Sequence, residues 1–514
     1  MKKLNRTLTL PAIIAISIAG MLGGVFVIPG IATAYTGTSI WLAFLVAALS
    51  ILPAVLSKSE LATAMPKSGG AYVFIERALG PLMGTISGIG LWVSLLLKSS
   101  FALVGLSAYL LVVVNTPVID LKYVSIIFLV AIMLLNIIGV KKVGKAQLII
   151  VIVSIVSLIA LTFIGLPKVD RVILKPFLFN GNMGFISAVA FVYVAFAGVT
   201  KIAAIAEEVK NPDKNLPKAM IISLTIMTAI YIIVSYILSG NIPFKELSTD
   251  IKPIYTLAHK LGGETIASII GVIGVITLIS LANSGVLASS RFPFAMSRDK
   301  LLPTSLSKVH PKYLTPVNTI LLTSLLMGLV IIFLDVEKIA KLVSAFKVSM
   351  FILVNLSVII LRETSVQWYN PSYRSPLYPY MQIFGILSGV VLLFYLGLMS
   401  VLTLLGISIL GTIIYFNYGV KASRIGVLKR YGHIPALYLL GRNKESSNLN
   451  KIQDKLVNKM VDTSINKDAG VIIPLLGNET SPSILIELGA SLNQNKSIQV
   501  VNITEVPAQT SLDA

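Results

Sequence analysis

The sequence predicts an all-α, multi-span membrane protein with a small α/β segment at its C-terminal end. Three observations carry this reading. Of the 514 residues, 55% are hydrophobic and 12% are charged, with a mean hydropathy of +0.88; soluble domains carry about 25% charged residues. Apolar runs of about 18 residues or more, each long enough to cross a bilayer as a helix, recur along most of the chain. The polar stretches between them are short and rich in Lys and Arg.

Twelve spans can be placed, at roughly 11–34, 38–57, 83–114, 122–140, 146–166, 184–206, 217–240, 265–288, 315–334, 340–361, 379–399 and 401–419. The N-terminal MKKLNR leads directly into the first. No small-residue cleavage site follows a short apolar core, so the first span is expected to be retained as a helix. Lys and Arg collect in the loops on the N-terminal side, namely MKKLNR, VKKVGK (140–145), VKNPDKNLPK (209–218), the two basic runs within 297–312, and KASRIGVLKR (421–430). The positive-inside rule then puts both termini in the cytoplasm, as an even number of spans requires.

Composition also excludes classes. The net charge of +20 could indicate nucleic acid. The basic residues lie in short loops beside the spans instead, so no nucleic-acid partner is expected; the expected surroundings are a lipid bilayer. Cys is absent and His numbers three, which leaves no disulfide framework and no Cys/His zinc site. No phosphate-binding Gly-rich loop, HExxH or GxSxG occurs. The expectation is a protein that is not an enzyme and holds no cofactor or metal.

Past about residue 440 the chain changes character. Residues 436–470 read as a polar cytoplasmic linker after a membrane domain spanning 1–435. Residues 471–514 read strand, helix, strand: VIIPLL as a buried strand, SPSILIELGASL as a helix capped within Asn478–Thr480, and SIQVVNITEV as a second strand. One β-α-β unit cannot bury its own core, so it is expected to dock or pair.

Within the spans one charge stands out. No charged residue occurs from Ala78 to Leu97 or from Ser99 to Ile119, yet Lys98 lies between. The nearest span end is about 15 residues, or ~22 Å of helix, away. That is too far for snorkelling, and a midplane charge costs at least ~2.5–3.5 kcal/mol. Its helical face carries Leu91, Ser94, Ala102 and Gly105, small or apolar residues suited to a helix–helix or cavity position. Three roles fit: a proton carrier, a fixed positive group that fills a cation site or attracts a carboxylate, and a structural lysine bonded to carbonyls. Lys201 and Lys347 are expected to reach toward the surface. The acids avoid mid-span positions: Glu60, Glu207 and Glu208 fall near one surface, and Asp120, Asp335 and Glu337 near the other.

Five segments occur in one order: FVIPG (26–30), PKSGGAYVF (66–74), AEEVKNPDKNLPKA (206–219), SRFPFAMSRDKLLP (290–303) and KVHPKYLTP (308–316). Together they resemble the amino acid–polyamine–organocation (APC) superfamily of permeases over about residues 7–420. The resemblance implies a LeuT-type fold, with spans 1–5 and 6–10 as inverted repeats plus two further helices. The first helix of each repeat would be broken at mid-membrane, its exposed ends holding substrate and cation. It also implies a secondary active transporter of amino acids working by alternating access in the plasma membrane. The C-terminal segment resembles the first third of a universal stress protein domain. Leu476 stands where that family often has Asp, and ATP binding is not inferred.

Carried over by motif, the substrate site would comprise Gly20, Leu22, Gly23 and Gly24 of span 1 and Ala197, Gly198, Val199 and Thr200 of span 6. Two departures occur. Span 1 has Leu22-Gly23-Gly24 where the family has Gly-Ser-Gly or Gly-Ala-Gly. Span 6 has Val199 and Thr200 where a Phe and often an acid follow the Gly, leaving less aromatic cover. Without a mid-span carboxylate, neutral or zwitterionic substrates are favoured over cationic ones. Some members place a span-5 lysine where others bind sodium between spans 1 and 8; Ser154 falls there, with Ser280, Asn283 and Ser284 at matching depth in span 8. Proton coupling through Lys98, sodium coupling through Ser280 and Ser284, and uncoupled exchange stay open, in that order, with H⁺ or Na⁺ as the coupling ion. Lys201, Glu207 and Glu208 are the candidate inner gate. A non-transporting amino acid sensor and a cation or polyamine carrier are the rival functions, and the oligomeric state is left open.

Overall fold

The computed structural model describes residues 8–65, 70–114, 120–138, 143–298, 301–313, 315–364, 369–419, 471–475 and 498–502. The chain divides into two compact units, Met1–Pro435 and Ala436–Ala514.

The first unit is helical throughout its described elements. In chain order these are α1 (Leu10–Thr36), α2 (Ile40–Ala64), α3 (Ala71–Leu79), α4 (Pro81–Val113), α5 (Leu121–Ile138), α6 (Val143–Gly165) and α7 (Gly181–Phe191). A 3-10 segment follows at Val192–Glu208, then α8 (Pro212–Asn241), α9 (Phe244–Leu247), α10 (Pro253–Arg298), α11 (Val317–Phe333), α12 (Val336–Glu363), α13 (Tyr380–Tyr395) and α14 (Leu398–Ile414). Among the described residues nine stretches are long and apolar enough to cross a membrane, the first running from Leu10 to Ala64 through both α1 and α2. The chain is therefore a multi-pass membrane protein.

Local chemistry sets the helix limits. At Leu79-Gly80-Pro81 the glycine takes φ 89°, its N–H bonds the Glu76 carbonyl, and Pro81 opens α4. Only glycine takes that φ freely, and proline suits a first turn whose N–H would be unpaired. In the 209–218 loop Asn211 is left-handed and Pro212 starts α8, so this Asn-Pro pair divides two elements as its sequence implies. The predicted span 265–288 is the inner part of a longer element. α10 bends at Gly263 (φ 71°) and then runs on to Arg298.

Two ends of the unit can be told apart. Lys210 N–H donates to the Leu8 carbonyl, so the start of α1 and the end of the 3-10 segment share one end, called here the near end. At the far end Gly30 packs on the Asp250 carbonyl, and Tyr35 hydrogen-bonds Glu337 at the start of α12. α1 is buried almost along its length, whereas α5, α6, α11, α13 and α14 show large apolar side chains such as Phe163 and Phe333 to the surroundings. α1 thus sits at the centre of the unit, and the others form its lipid-facing rim.

A carboxylate network ties α2 to α12. Glu60 is fully buried; it accepts from Arg362 at 2.8 and 2.7 Å, from Tyr369 at 2.8 Å, and from the Ser375 N–H and hydroxyl at 2.8 Å. Breaking a buried, hydrogen-bonded ion pair from one side costs about 3–5 kcal/mol. Glu60→Gln is therefore expected to lower the Tm of the detergent-solubilised protein clearly. A Tm equal to wild type would show that the network does not hold the two helices.

In the second unit, β1 (Val471–Leu475) and β2 (Ile498–Asn502) pair in parallel, from Val471 opposite Ile498 to Leu475 opposite Asn502. Parallel strands need a crossover between them. The helix expected in that crossover, and the linker 436–470, lie outside the described residues.

Candidate functional site

The predicted break in span 1 is not present. α1 is one helix of 27 residues, with Gly20, Gly23, Gly24 and Pro29 inside it. The physical reason is that an unbroken helix satisfies its own backbone, as an apolar setting demands, and neighbours pack tightly against each glycine. What remains of the break is a set of extra donors on α1 carbonyls. Lys98 Nζ lies 2.7 Å from Gly20 O, the Tyr231 hydroxyl 2.6 Å from Met21 O, and the Tyr109 hydroxyl 2.7 Å from Phe26 O.

The second repeat departs from α-helix earlier than expected. α7 ends at Phe191, seven residues before Gly198, and the chain tightens into the 3-10 segment. Ser344 of α12 stands at that junction, donating to Phe191 O at 2.7 Å and accepting from Val194 N–H at 3.0 Å. A side chain that meets both a freed carbonyl and a freed N–H is what a change of helix type needs.

The two predicted glycine stretches meet. A Cβ on Gly198 would fall 2.6 Å from Gly20 O and 2.7 Å from Met21 N, so the α1 and 3-10 backbones touch there. Leu22, Ala197 and Val199 are buried beside this crossing. Gly23 packs on Leu281 and Leu278 of α10, and Gly24 on Tyr231 and Ala195. The side chains of Thr200, Glu207 and Glu208 lie outside the described residues.

The aromatic cover expected to be thin is supplied from elsewhere. Phe44 of α2 stacks on Tyr231 of α8 at 4.7 Å, and Phe196 meets the same ring edge-on at 5.1 Å. Sequence reading missed Phe44 and Tyr231, which sit in ordinary apolar runs. Only their distance from charged loops marks them as mid-span.

Lys98 is buried as expected: it is 4% exposed, and its ammonium reaches the α1 carbonyl rather than a surface. Lys347, expected to head for a surface, lies within α12 and is 3% exposed. Lys201, for which the same was expected, lies with its Cδ 3.2 Å from where a Gly20 Cβ would be. Lys58 of α2, not singled out from sequence, is also buried. All four are held on helices whose packing faces, not their ends, carry the lysine.

The candidate sodium ligands Ser154, Asn283 and Ser284 each have a hydrogen-bond partner within the protein. Ser154 pairs with Thr277 of α10 at 2.6 Å, a residue that sequence reading passed over. Asn283 accepts from Asn136 of α5 at 2.8 Å, and Ser284 donates to its own helix at Leu281 O. Ser280 is half-buried on the same helix. Positions 277, 280 and 284 fall on one face of α10 by helix periodicity, and 283 turns away from it toward α5.

Comparison with known proteins follows this geometry. The family model described as amino acid permease matches residues 8–417. The chain belongs to the amino acid permease family. The permease is 31% identical over 443 residues to the branched-chain amino acid permease BcaP of Bacillus subtilis, an alignment covering 82% of this chain and 95% of that one. It is 30% identical to the methylthioribose transporter of the same organism, again over 82% of this chain and 95% of the relative. The serine/threonine exchanger SteT of Bacillus subtilis is 29% identical over 71% of the permease and 84% of its own length. The permease is thus a relative of transporters and not of enzymes.

Proposed function

We propose that the permease is a secondary active amino acid transporter working by alternating access, with uptake coupled to protons through Lys98. The observation that carries this is the buried Lys98 ammonium on Gly20 O, at the crossing of α1 and the 3-10 segment. Although α1 is unbroken here, that carbonyl takes an extra cationic donor where a broken helix would offer a cation its free carbonyls. A lysine amine there binds or releases a proton and leaves sodium little to do. The backbone contact of Gly20 with Gly198 lets two elements shift against each other without side-chain interference. Glycine and Leu22 on α1, and Ala197 to Thr200 opposite, form the proposed cradle for the substrate amine and carboxylate, under Phe44, Phe196 and Tyr231. Lys201, Glu207 and Glu208 form the proposed inner gate.

The reading extends to architecture. Counting α1 and α2 separately and adding the shorter apolar helices α11 and α13 to the other stretches makes twelve spans, in the LeuT-type arrangement of two inverted repeats plus two. Basic near-end loops support cytoplasmic termini in a plasma membrane. The proposed domains are 1–435 for transport, 436–470 as linker, and 471–514 as a partial universal-stress-protein-like segment.

Uptake of a radiolabelled amino acid panel into proteoliposomes tests this. Flux is expected with an inward proton gradient in sodium-free buffer. No uptake and no exchange for any amino acid would sink the transporter reading, and a strict sodium requirement would move coupling away from Lys98.

A further inference from the structure

Four lysines set back from the helix ends form a file: Lys58, Lys98 and Lys347 are buried and Lys201 is half-buried. Lys98 and Lys347 stand about 25 and 24 Å of helix from the near ends of α4 and α12, and Lys58 about 9 Å from that of α2, at 1.5 Å per residue. Lys201 lies between, against Gly20. The helices carrying them are joined locally: Ser344, one turn before Lys347, bonds the 3-10 segment, and Ser57, beside Lys58, donates to Asn355 of α12 at 2.8 Å. Lys98, Lys201 and Lys347 are close enough for their charges to act on one another, and so are Lys347 and Lys58.

Among the described residues no carboxylate pairs with these lysines. Among the described residues Lys58, Lys201 and Lys347 make no hydrogen bond or ion pair, though Lys58 and Lys347 are 4% and 3% exposed. Glu60, two residues from Lys58, has both oxygens occupied by Arg362, Tyr369 and Ser375. Asp250, Asp335 and Glu337 stand at the far end. A buried amine either gives up its proton or needs a paired anion, because desolvation costs several kcal/mol per ion. Like charges set side by side raise that cost.

We infer that the missing anion is the substrate: the permease carries a dicarboxylic amino acid, whose side-chain carboxylate is held by Lys347 and Lys201 and passes to Lys58 on its way to the near end. The inference rests on the transporter reading and names its substrate class. The side chain is then acidic and not neutral. A lone zwitterion brings one carboxylate and one amine, with no net charge to offset the file.

The experiment is transport by the full-length protein in proteoliposomes, with L-glutamate, L-aspartate, L-leucine and L-serine as labelled probes and sulfate as competitor. L-Glutamate or L-aspartate uptake is expected to exceed that of the neutral pair. In Lys347→Met it is expected to fall by about 30-fold or more, as when one partner of a buried charge pair is removed, with activity largely retained in Lys347→Arg. Lys58→Met is expected to lower the acidic flux while leaving the Tm unchanged, which separates pathway from folding. Uptake of leucine or serine with glutamate and aspartate ignored would overturn the inference and leave the transporter reading standing. Sulfate transport without acidic amino acid transport would overturn it in favour of an inorganic anion. No flux of glutamate or aspartate would overturn the inference, and no flux of any amino acid in the wider panel would overturn both.

Discussion

Proton-driven uptake is expected to collapse in Lys98→Ala. The ammonium is the donor to Gly20 O at 2.7 Å, deep in the unit. Losing a charged hydrogen bond costs roughly 1.5–3 kcal/mol, which corresponds to about a 10- to 150-fold loss of rate if the bond matters in the rate-limiting state. Lys98→Arg separates the two sharp roles. Arginine keeps a fixed positive charge but does not give up its proton. A carrier role predicts that Lys98→Arg loses the response to a proton gradient while still exchanging substrate across the membrane. A fixed-charge role predicts that the gradient response survives. Uptake at several imposed pH gradients, with Tm as the folding control, reads both. An unchanged gradient response in Lys98→Ala would reject coupling through this residue.

The second large effect is expected at Gly198→Ala. The added methyl would meet backbone, with Gly20 O at 2.6 Å and Met21 N at 2.7 Å, and neither atom belongs to a side chain that can rotate away. Overpacking of this kind costs about 1–3 kcal/mol, and here it also separates α1 from the 3-10 segment. Uptake is expected to fall below about a tenth of wild type, in line with that cost, with a lowered Tm. Gly406→Ala is the control. It lies in α14 with nothing within 4 Å of the added carbon, so uptake and Tm are expected to stay near wild type. Equal behaviour of the two variants would mean that the α1 crossing is looser than its geometry.

Several features of the site were legible before any coordinates. The glycines of residues 17–30 and Gly198 share a place in two repeats, and Gly20 and Gly198 do touch. Lys98 was marked by the uncharged sequence on either side of it, and it is buried. Legibility ended where a pattern has two physical solutions. A Gly-rich stretch can break or can pack closely, and α1 packs. A mid-span hydroxyl can bind an ion or can bond its own helix; Ser284 bonds its own helix, and Ser154 takes Thr277. Lys347 lies inside both the predicted span and α12, and the packing of its helix face, which no local pattern shows, keeps it from a surface.

By itself the sequence determined the membrane class, most of the helices and the family. Hydropathy reflects the solvent around each residue, and a bilayer imposes it on every stretch of about 20 residues independently. Tertiary structure alone decided which partner each polar group found. Lys98 and Gly20 are 78 positions apart, and Glu60 and Arg362 are 302 apart. Which face of one helix meets which face of another depends on packing across the whole unit. That packing set Lys58, Lys98 and Lys347 in the interior with no carboxylate partner among the described residues. No local pattern encodes it, because each lysine alone reads as an exception to its own span.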